Sequence, residues 1–228
     1  MSKVIGILGG YGPYATASFY QQILSKTPAE KDWDHFHIII DSNPKIPSRA
    51  RAFLFNEPSP LPDMIKGIER LKNAGADFFV CPCNSAHYFL KSQDKFPILF
   101  VDMVEAVVDE INELGIKRVG LIGSEVTIDG EIYQNELNSK GSDISLLPFN
   151  DLKKVREIIE AGKTGNNLKS AKQKLIGILK GFKQEDVEAV IYGCTELPLI
   201  LPSNLSPVPI IDTADVLIEK AILIAKEN

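Results

Sequence analysis

One pattern recurs at a nearly constant offset along this 228-residue chain and limits what it can fold into. Lys3-Val4-Ile5-Gly6-Ile7-Leu8-Gly9-Gly10 is echoed by Lys117-Arg118-Val119-Gly120-Leu121-Ile122-Gly123-Ser124. Val80-Cys81-Pro82-Cys83-Asn84 is echoed by Ile191-Tyr192-Gly193-Cys194-Thr195, and Leu99-Phe100-Val101-Asp102 by Pro209-Ile210-Ile211-Asp212. Positions 3 and 117, 83 and 194, and 102 and 212 stand 114, 111 and 110 residues apart, as an internal duplication requires. Each echo is a short apolar run that stops at glycine or polar residues able to start a helix. Runs of that kind are strands buried on both faces, alternating with helices, and they imply parallel sheets covered on both sides. The expected fold is therefore α/β, with two pseudo-symmetric, doubly wound parallel-sheet halves at residues 1–115 and 116–228. Ligands of such sheets bind outside the carboxyl ends of the strands, so the active site belongs in the cleft between the halves.

The first half reads in order as a strand at residues 3–8, a glycine turn, and a helix at 15–24 with Pro13 in its first turn. A second strand is expected at 35–41. Residues 42–62 then form a long loop carrying Pro44, Pro47, Pro58, Pro60 and Pro62 and the basic residues Lys45, Arg49 and Arg51, with a short helix at 48–54; loops of this length are often lids or binding loops. Helices follow at 64–73, 84–92 and 103–113, and strands at 77–81 and 98–101. The apolar helical run at 213–226, with Val216, Leu217, Ala221, Ile222 and Ile224, is expected to pack back on the first half.

Composition narrows the function. Three cysteines cannot build a disulfide framework, and the odd count points to free thiols in a reducing compartment, hence a cytoplasmic protein. The apolar start ends at Gly9-Gly10 without a cleavage site, and no stretch is long enough to span a membrane, so neither a secretory leader nor a membrane partner is expected. A net charge of −5 gives no reason to expect nucleic acid, and a small acidic substrate would have to be met by locally placed Arg or Lys.

Cys83 and Cys194 are the chemistry-bearing pair. Both follow a strand and precede a helix, where the backbone dipole favours thiolate. Placed across a cleft, one thiolate can take a proton from one face of a substrate carbon while a thiol on the other face returns one, which inverts the stereocentre. The bland alternative is two small buried hydrophobes. His87 shares a helix face with Cys83, so Cys81, Cys83, His87 and Cys194 form a conceivable zinc set, but the spacing is not that of a zinc knuckle and no metal is expected. Gly10-Tyr11-Gly12-Pro13-Tyr14-Ala15 fits a dinucleotide-binding turn, with Asp41 as the ribose acid, which keeps an NAD-dependent oxidoreductase open; a non-catalytic, two-lobed amino-acid binding protein is a further alternative.

Four stretches carry a resemblance over essentially the whole chain: residues 9–16, Ile46-Pro47-Ser48-Arg49, Cys83-Asn84-Ser85-Ala86-His87, and Gly193-Cys194-Thr195-Glu196. The chain resembles the aspartate/glutamate racemase family, most closely its aspartate racemases. The resemblance implies two-base catalysis by Cys83 and Cys194 without pyridoxal phosphate or any other cofactor, on a small acidic amino acid, aspartate first and glutamate or a broader set second. It also implies substrate contacts from Gly10, Tyr11, Asn84, Ser85 and Thr195, a grip on the side-chain carboxylate by Arg49 and Lys163, and a homodimer. Tyr11, Tyr14, Ser85 and Tyr88 depart from the usual pattern, which loosens the substrate more than the reaction. A cysteine-dependent decarboxylase or a hydantoin racemase are the related alternatives; the decarboxylase needs only one thiol.

Overall fold

The computed structural model describes residues 2–227, with two four-stranded, all-parallel sheets of the same strand order. In the first, β1 (Ile5–Gly9) lies between β2 (Ile38–Ser42) and β3 (Phe78–Val80), and β4 (Leu99–Val101) forms the far edge. In the second, β5 (Arg118–Gly123) lies between β6 (Ser145–Pro148) and β7 (Ala189–Gly193), with β8 (Ile210–Asp212) at the far edge. The helices of the first half are α1 (Pro13–Lys26), α2 (Arg49–Phe55), α3 (Leu61–Asn73), α4 (Asn84–Leu90) and α5 (Met103–Glu113). Those that follow are α6 (Glu125–Ile128), α7 (Ile132–Ser139), α8 (Leu152–Thr164), α9 (Leu168–Gln184), α10 (Leu197–Ile200) and α11 (Thr213–Lys226). Two lone 3₁₀ turns complete the chain, Asp32–Asp34 and Ser203–Leu205.

Apolar side chains form three clusters. One lies outside the first sheet under α3 and one outside the second under α8 and α9, while the largest draws on both sheets together with α1, α5, α7 and α11. α5 shows why these segments become helices of that central layer: Val104, Val107, Val108 and Ile111 follow the i, i+3, i+4, i+7 spacing of one helical face and are all buried. Each such side chain stabilises the fold by about 1.5–3 kcal/mol. α11 packs against both α5 and α1, and Lys26 ties it to α1 through Asp215 at 2.6 Å and Glu219 at 2.7 Å. It also touches β4, β7 and β8, so it belongs to both halves.

Two elements depart from the sequence reading. The strand expected at 35–41 pairs only from Ile38, because the Asp34 carboxylate accepts from the Glu30 and Lys31 N–H groups and winds residues 32–34 into a 3₁₀ turn. The polar stretch after Cys194 supports a single helical turn, α10, which starts at Leu197 with Glu196 as its N-cap.

The duplicated aspartates diverge in their surroundings. Asp102 caps α5; burial pushes its carboxyl up, but the Lys91 ammonium at 3.1 Å, with the Glu105 N–H, outweighs burial and holds it below the usual range. Asp212 caps α11 in the same way, yet burial prevails over the N–H groups of Ala214 and Asp215 and its carboxyl is pushed up to about 6. A carboxyl raised above its unfolded value of 3.8 adds stability that is complete below pH 3.8 and lost as pH rises through about 6. Asp212→Asn keeps a capping side chain and removes the charge, so it is expected to raise Tm by several degrees at pH 7.5 and to change it little at pH 4. Equal shifts at the two pH values in a thermal melt would contradict this account.

Candidate active site

The loops that leave the two central strands of each sheet, β1 and β3 in the first and β5 and β7 in the second, converge on one cavity of about 120 Å³. These are the points where successive crossovers diverge and leave a crevice. Tyr11 follows β1, Cys83 follows β3, Ser124 follows β5, and Cys194 follows β7. The space is of the same order as a ~150 Å³ cavity that admits benzene, and far below what a dinucleotide needs.

Cys83 is the N-cap of α4, with extended backbone and its Sγ 3.4 Å from Ser85 Oγ. His87 holds this turn: one ring nitrogen, Nδ1, meets the Cys83 carbonyl at 2.9 Å and the other accepts the Met103 N–H at 3.1 Å. Both nitrogens are thus committed to backbone, burial pushes the imidazole below its usual pKa, and the ring serves as a neutral brace with no lone pair left for a zinc ion. Cys81 lies fully buried in the preceding turn.

Cys194 is only partly exposed, and its thiol donates to Glu196 Oε2 at 2.8 Å. Burial, then the Glu196 carboxylate, pushes this thiol well above its ordinary pKa. That reverses the expectation of a thiolate-favouring helix start, because the group nearest the sulfur is an anion. Glu196 is itself buried at 3% exposure, which raises its pKa, and its Oε1 has no hydrogen-bond partner. A Cβ on Gly12, or on Gly162 of α8, would collide with Glu196, so two glycines on separate elements make room for it.

The glycine turn after β1 is filled by the protein. Gly10 has φ +91° with the Asn43 backbone against its Cα, and its N–H goes to Thr16 Oγ1 at 3.0 Å, so Gly10 shapes the turn and does not line the cavity. Asp41 is paired with Arg70 at 2.7 Å. The turn is packed against the Asn43 backbone and both Asp41 oxygens are held by Arg70, which removes the basis for the dinucleotide reading.

Arg49, the first residue of α2, stacks its guanidinium 4.8 Å from the Tyr11 ring centre and donates to the Tyr11 carbonyl at 3.2 Å. Its Nε is buried without a partner, and among the described residues no carboxylate lies within ion-pair range of it. Lys163, in the last turn of α8, contacts Glu160 at 2.8 Å; burial disfavours its charge, but Glu160 and then Glu196 outweigh burial and raise its pKa. Asn84, Ser85 and Thr195 line the cavity, but two of their side chains are already engaged across the cleft: Asn84 with Tyr133 and Thr213, and Thr195 with the Pro82 carbonyl. Sequence reasoning missed Glu125 and Arg156, which form a wall of the cavity and pair through Arg156 Nε at 2.6 Å. The duplication held a signal for the first, since Glu125 stands where Tyr11 stands in the earlier copy.

A family described as Asp/Glu/hydantoin racemase matches residues 8–221. The chain belongs to this family. It is a racemase, and so an isomerase. The racemase is 30% identical over 220 residues to the broad specificity amino-acid racemase RacX of Bacillus subtilis (strain 168), covering 92% of this chain and 93% of that protein. Among solved structures it is similar to Picrophilus torridus aspartate racemase, at 30% identity and TM-score 0.90 over 99% of this chain and 95% of the other. A similar likeness is found to an aspartate racemase homologue from Pyrococcus horikoshii, at 28% identity and TM-score 0.78 over all of both chains. No helix among the described residues is long and apolar enough to cross a membrane.

His87→Ala strands the Met103 N–H in the interior and leaves the Cys83 carbonyl with the Ala86 N–H alone, and is expected to cost about 2–4 kcal/mol in urea unfolding at pH 7.5. An imidazole held below its unfolded value of 6.5 gives stability that is present above pH 6.5 and lost as pH falls. The deficit of the variant should therefore shrink between pH 7.5 and pH 5; a deficit independent of pH would be inconsistent with a neutral brace.

Proposed function

We propose that this racemase interconverts the enantiomers of an acidic amino acid, aspartate first, by a cofactor-independent two-base mechanism in which Cys83 and Cys194 work on opposite faces of the α-carbon. The observation that carries the reading is that two cysteines at corresponding positions of the two sheets line one small cavity that also holds a guanidinium without an acidic partner. The names of the similar proteins from Picrophilus torridus and Pyrococcus horikoshii favour aspartate. Arg49 takes the side-chain carboxylate, with Lys163 beside it. Ser85 and the backbone N–H groups around the thiols meet the α-carboxylate, where negative charge builds as the α-proton leaves, while the Thr195 hydroxyl stays on the Pro82 carbonyl.

In one direction the thiolate of Cys83 removes the α-proton. The C–H bond breaks, S–H forms, and the electron pair moves onto the α-carbon and its carboxylate. The Cys194 thiol then gives its proton to the opposite face, leaving Cys83 as thiol and Cys194 as thiolate, ready for the mirror-image substrate. Cys194 is the thiol at rest, because burial and Glu196 hold it protonated. Glu196 stands in line to receive that proton when Cys194 must become the base.

A broader substrate range is the second reading. RacX is a broad specificity racemase by name, and here two of the three cations lining the cavity, Lys163 and Arg156, already have glutamate partners, leaving Arg49 alone for an anionic side chain. Incubation in D2O without added cofactor, with L-aspartate, L-glutamate and neutral amino acids in separate tubes, distinguishes the two. Loss of the α-proton signal by NMR together with appearance of the D-isomer is expected, fastest with aspartate. Cys83→Ala and Cys194→Ala should each abolish racemisation in both directions, and either variant retaining full activity sinks the two-base assignment.

Glu196→Gln keeps the shape and removes the charge. It is expected to lower kcat/KM on the order of 10²-fold, equally in both directions because enantiomers have the same free energy. Removing the anion also removes a cause of the raised Cys194 pKa, so the alkaline limb of the kcat/KM profile should move to lower pH. An unchanged rate and profile would dismiss Glu196 as a proton acceptor.

A further inference from the structure

Each cysteine is flanked by residues whose side chains cross the cleft, and the crossings form two struts between the cysteine loops. The first is a one-way relay of hydrogen bonds. Tyr133 of α7 donates its phenol to Asn84 Oδ1 at 2.6 Å, Asn84 Nδ2 donates to Thr213 Oγ1 at 3.0 Å, and the Thr213 hydroxyl donates to the Tyr192 carbonyl at 3.0 Å. The relay thus runs from the residue after Cys83 to a carbonyl two residues before Cys194. The second strut is the Thr195 hydroxyl on the Pro82 carbonyl at 3.2 Å, from the residue after Cys194 to the residue before Cys83.

All members of the relay are sealed from solvent: Tyr133 and Thr213 are 0% exposed and Asn84 2%. A buried phenol needs a partner, and Tyr133 finds it in Asn84, which also reaches α11 through Thr213. Each donor polarises the next, so the relay holds a single direction. Neither Tyr133 nor Thr213 lines the cavity; Tyr133 reaches it through Asn84, and Thr213 through Asn84 and the Tyr192 carbonyl.

We propose that Tyr133 and Thr213 are positioning residues which, by fixing the Asn84 amide, set the separation of the Cys83 and Cys194 loops. The inference rests on the two-base reading for its catalytic consequence. Two sulfurs must reach the same carbon from opposite faces, and a misplacement of about 1 Å costs on the order of 10²-fold in rate. The Asn84 side chain is thereby a bolt between the halves, with its amide oxygen and nitrogen both engaged before any substrate arrives.

The test compares the full chain with Tyr133→Phe, Thr213→Val, Thr213→Ser and the Tyr133→Phe/Thr213→Val pair. With whichever amino acid the wild type racemises, Tyr133→Phe and Thr213→Val are each expected to lower kcat about tenfold or more with KM within about twofold. Thr213→Ser, which keeps the hydroxyl, should stay near wild type. The double variant should be little worse than the poorer single one, because both act through Asn84. A raised KM with unchanged kcat would make Asn84 a ligand only, and an unchanged kcat with a lowered Tm would make the relay merely structural; either outcome overturns the proposal.

A second measurement needs no turnover. Iodoacetamide labelling read by mass spectrometry should modify Cys83 several-fold faster in Tyr133→Phe and Thr213→Val than in wild type or Thr213→Ser, with buried Cys81 unchanged as internal reference. Equal Cys83 labelling in all of them refutes the strut, whether or not the wild type racemises anything. Failure of racemisation with faster labelling in those two variants would reject the two-base reading and keep the strut.

Discussion

Everything in this molecule depends on a layer of apolar helices shared between two parallel sheets. Parallel strands cannot be joined by tight turns, so each pair demands a helical crossover, and each crossover needs an apolar surface to cover it. Here α1, α5, α7 and α11 serve both sheets at once from a single core. The joint burial fixes the sheets relative to one another, so the loops after β1, β3, β5 and β7 meet around one cavity.

Symmetry of fold does not carry over to symmetry of chemistry. Cys83 starts a helix and has a serine hydroxyl nearby, whereas Cys194 faces a buried carboxylate that two glycines on other elements make room for. Asp102 and Asp212 show the same divergence: one has Lys91 beside it and stays low, the other is governed by burial and rises to about 6. A duplicated fold supplies two equivalent positions. The elements that each copy packs against decide whether a group there keeps or gives up its proton.

Much of the architecture was legible in the residues. The echoing apolar runs gave the positions of β1, β3, β4, β5, β7 and β8, the structure adding the strand order common to both sheets, and α5 and α11 could be bounded to the residue because their buried faces keep strict helical spacing. Misreadings occurred where a single side chain competes with the backbone. Asp34 bends the chain ahead of β2, and α10 begins past Glu196 rather than at Cys194. The fit of the glycine turn to a dinucleotide fingerprint was local and misleading, since Gly10 packs against the Asn43 backbone and Gly12 against the Glu196 carboxylate of the same protein.

The sequence by itself determined the duplication, the α/β class, the two thiols at strand ends and the family to which the chain belongs, because each of these is written in contiguous residues. It also marked Tyr11, Arg49, Asn84, Ser85, Lys163 and Thr195, all of which line the cavity. Only the tertiary structure decided that Glu125 and Arg156 stand with them, that Glu196 holds the Cys194 proton, and that Asn84 bolts one half to the other through Tyr133 and Thr213. Those pairings join residues as far apart as 84 and 213, and no local pattern encodes such a contact. It exists because burial of the central layer brings the two polar groups together in a place where water cannot reach either.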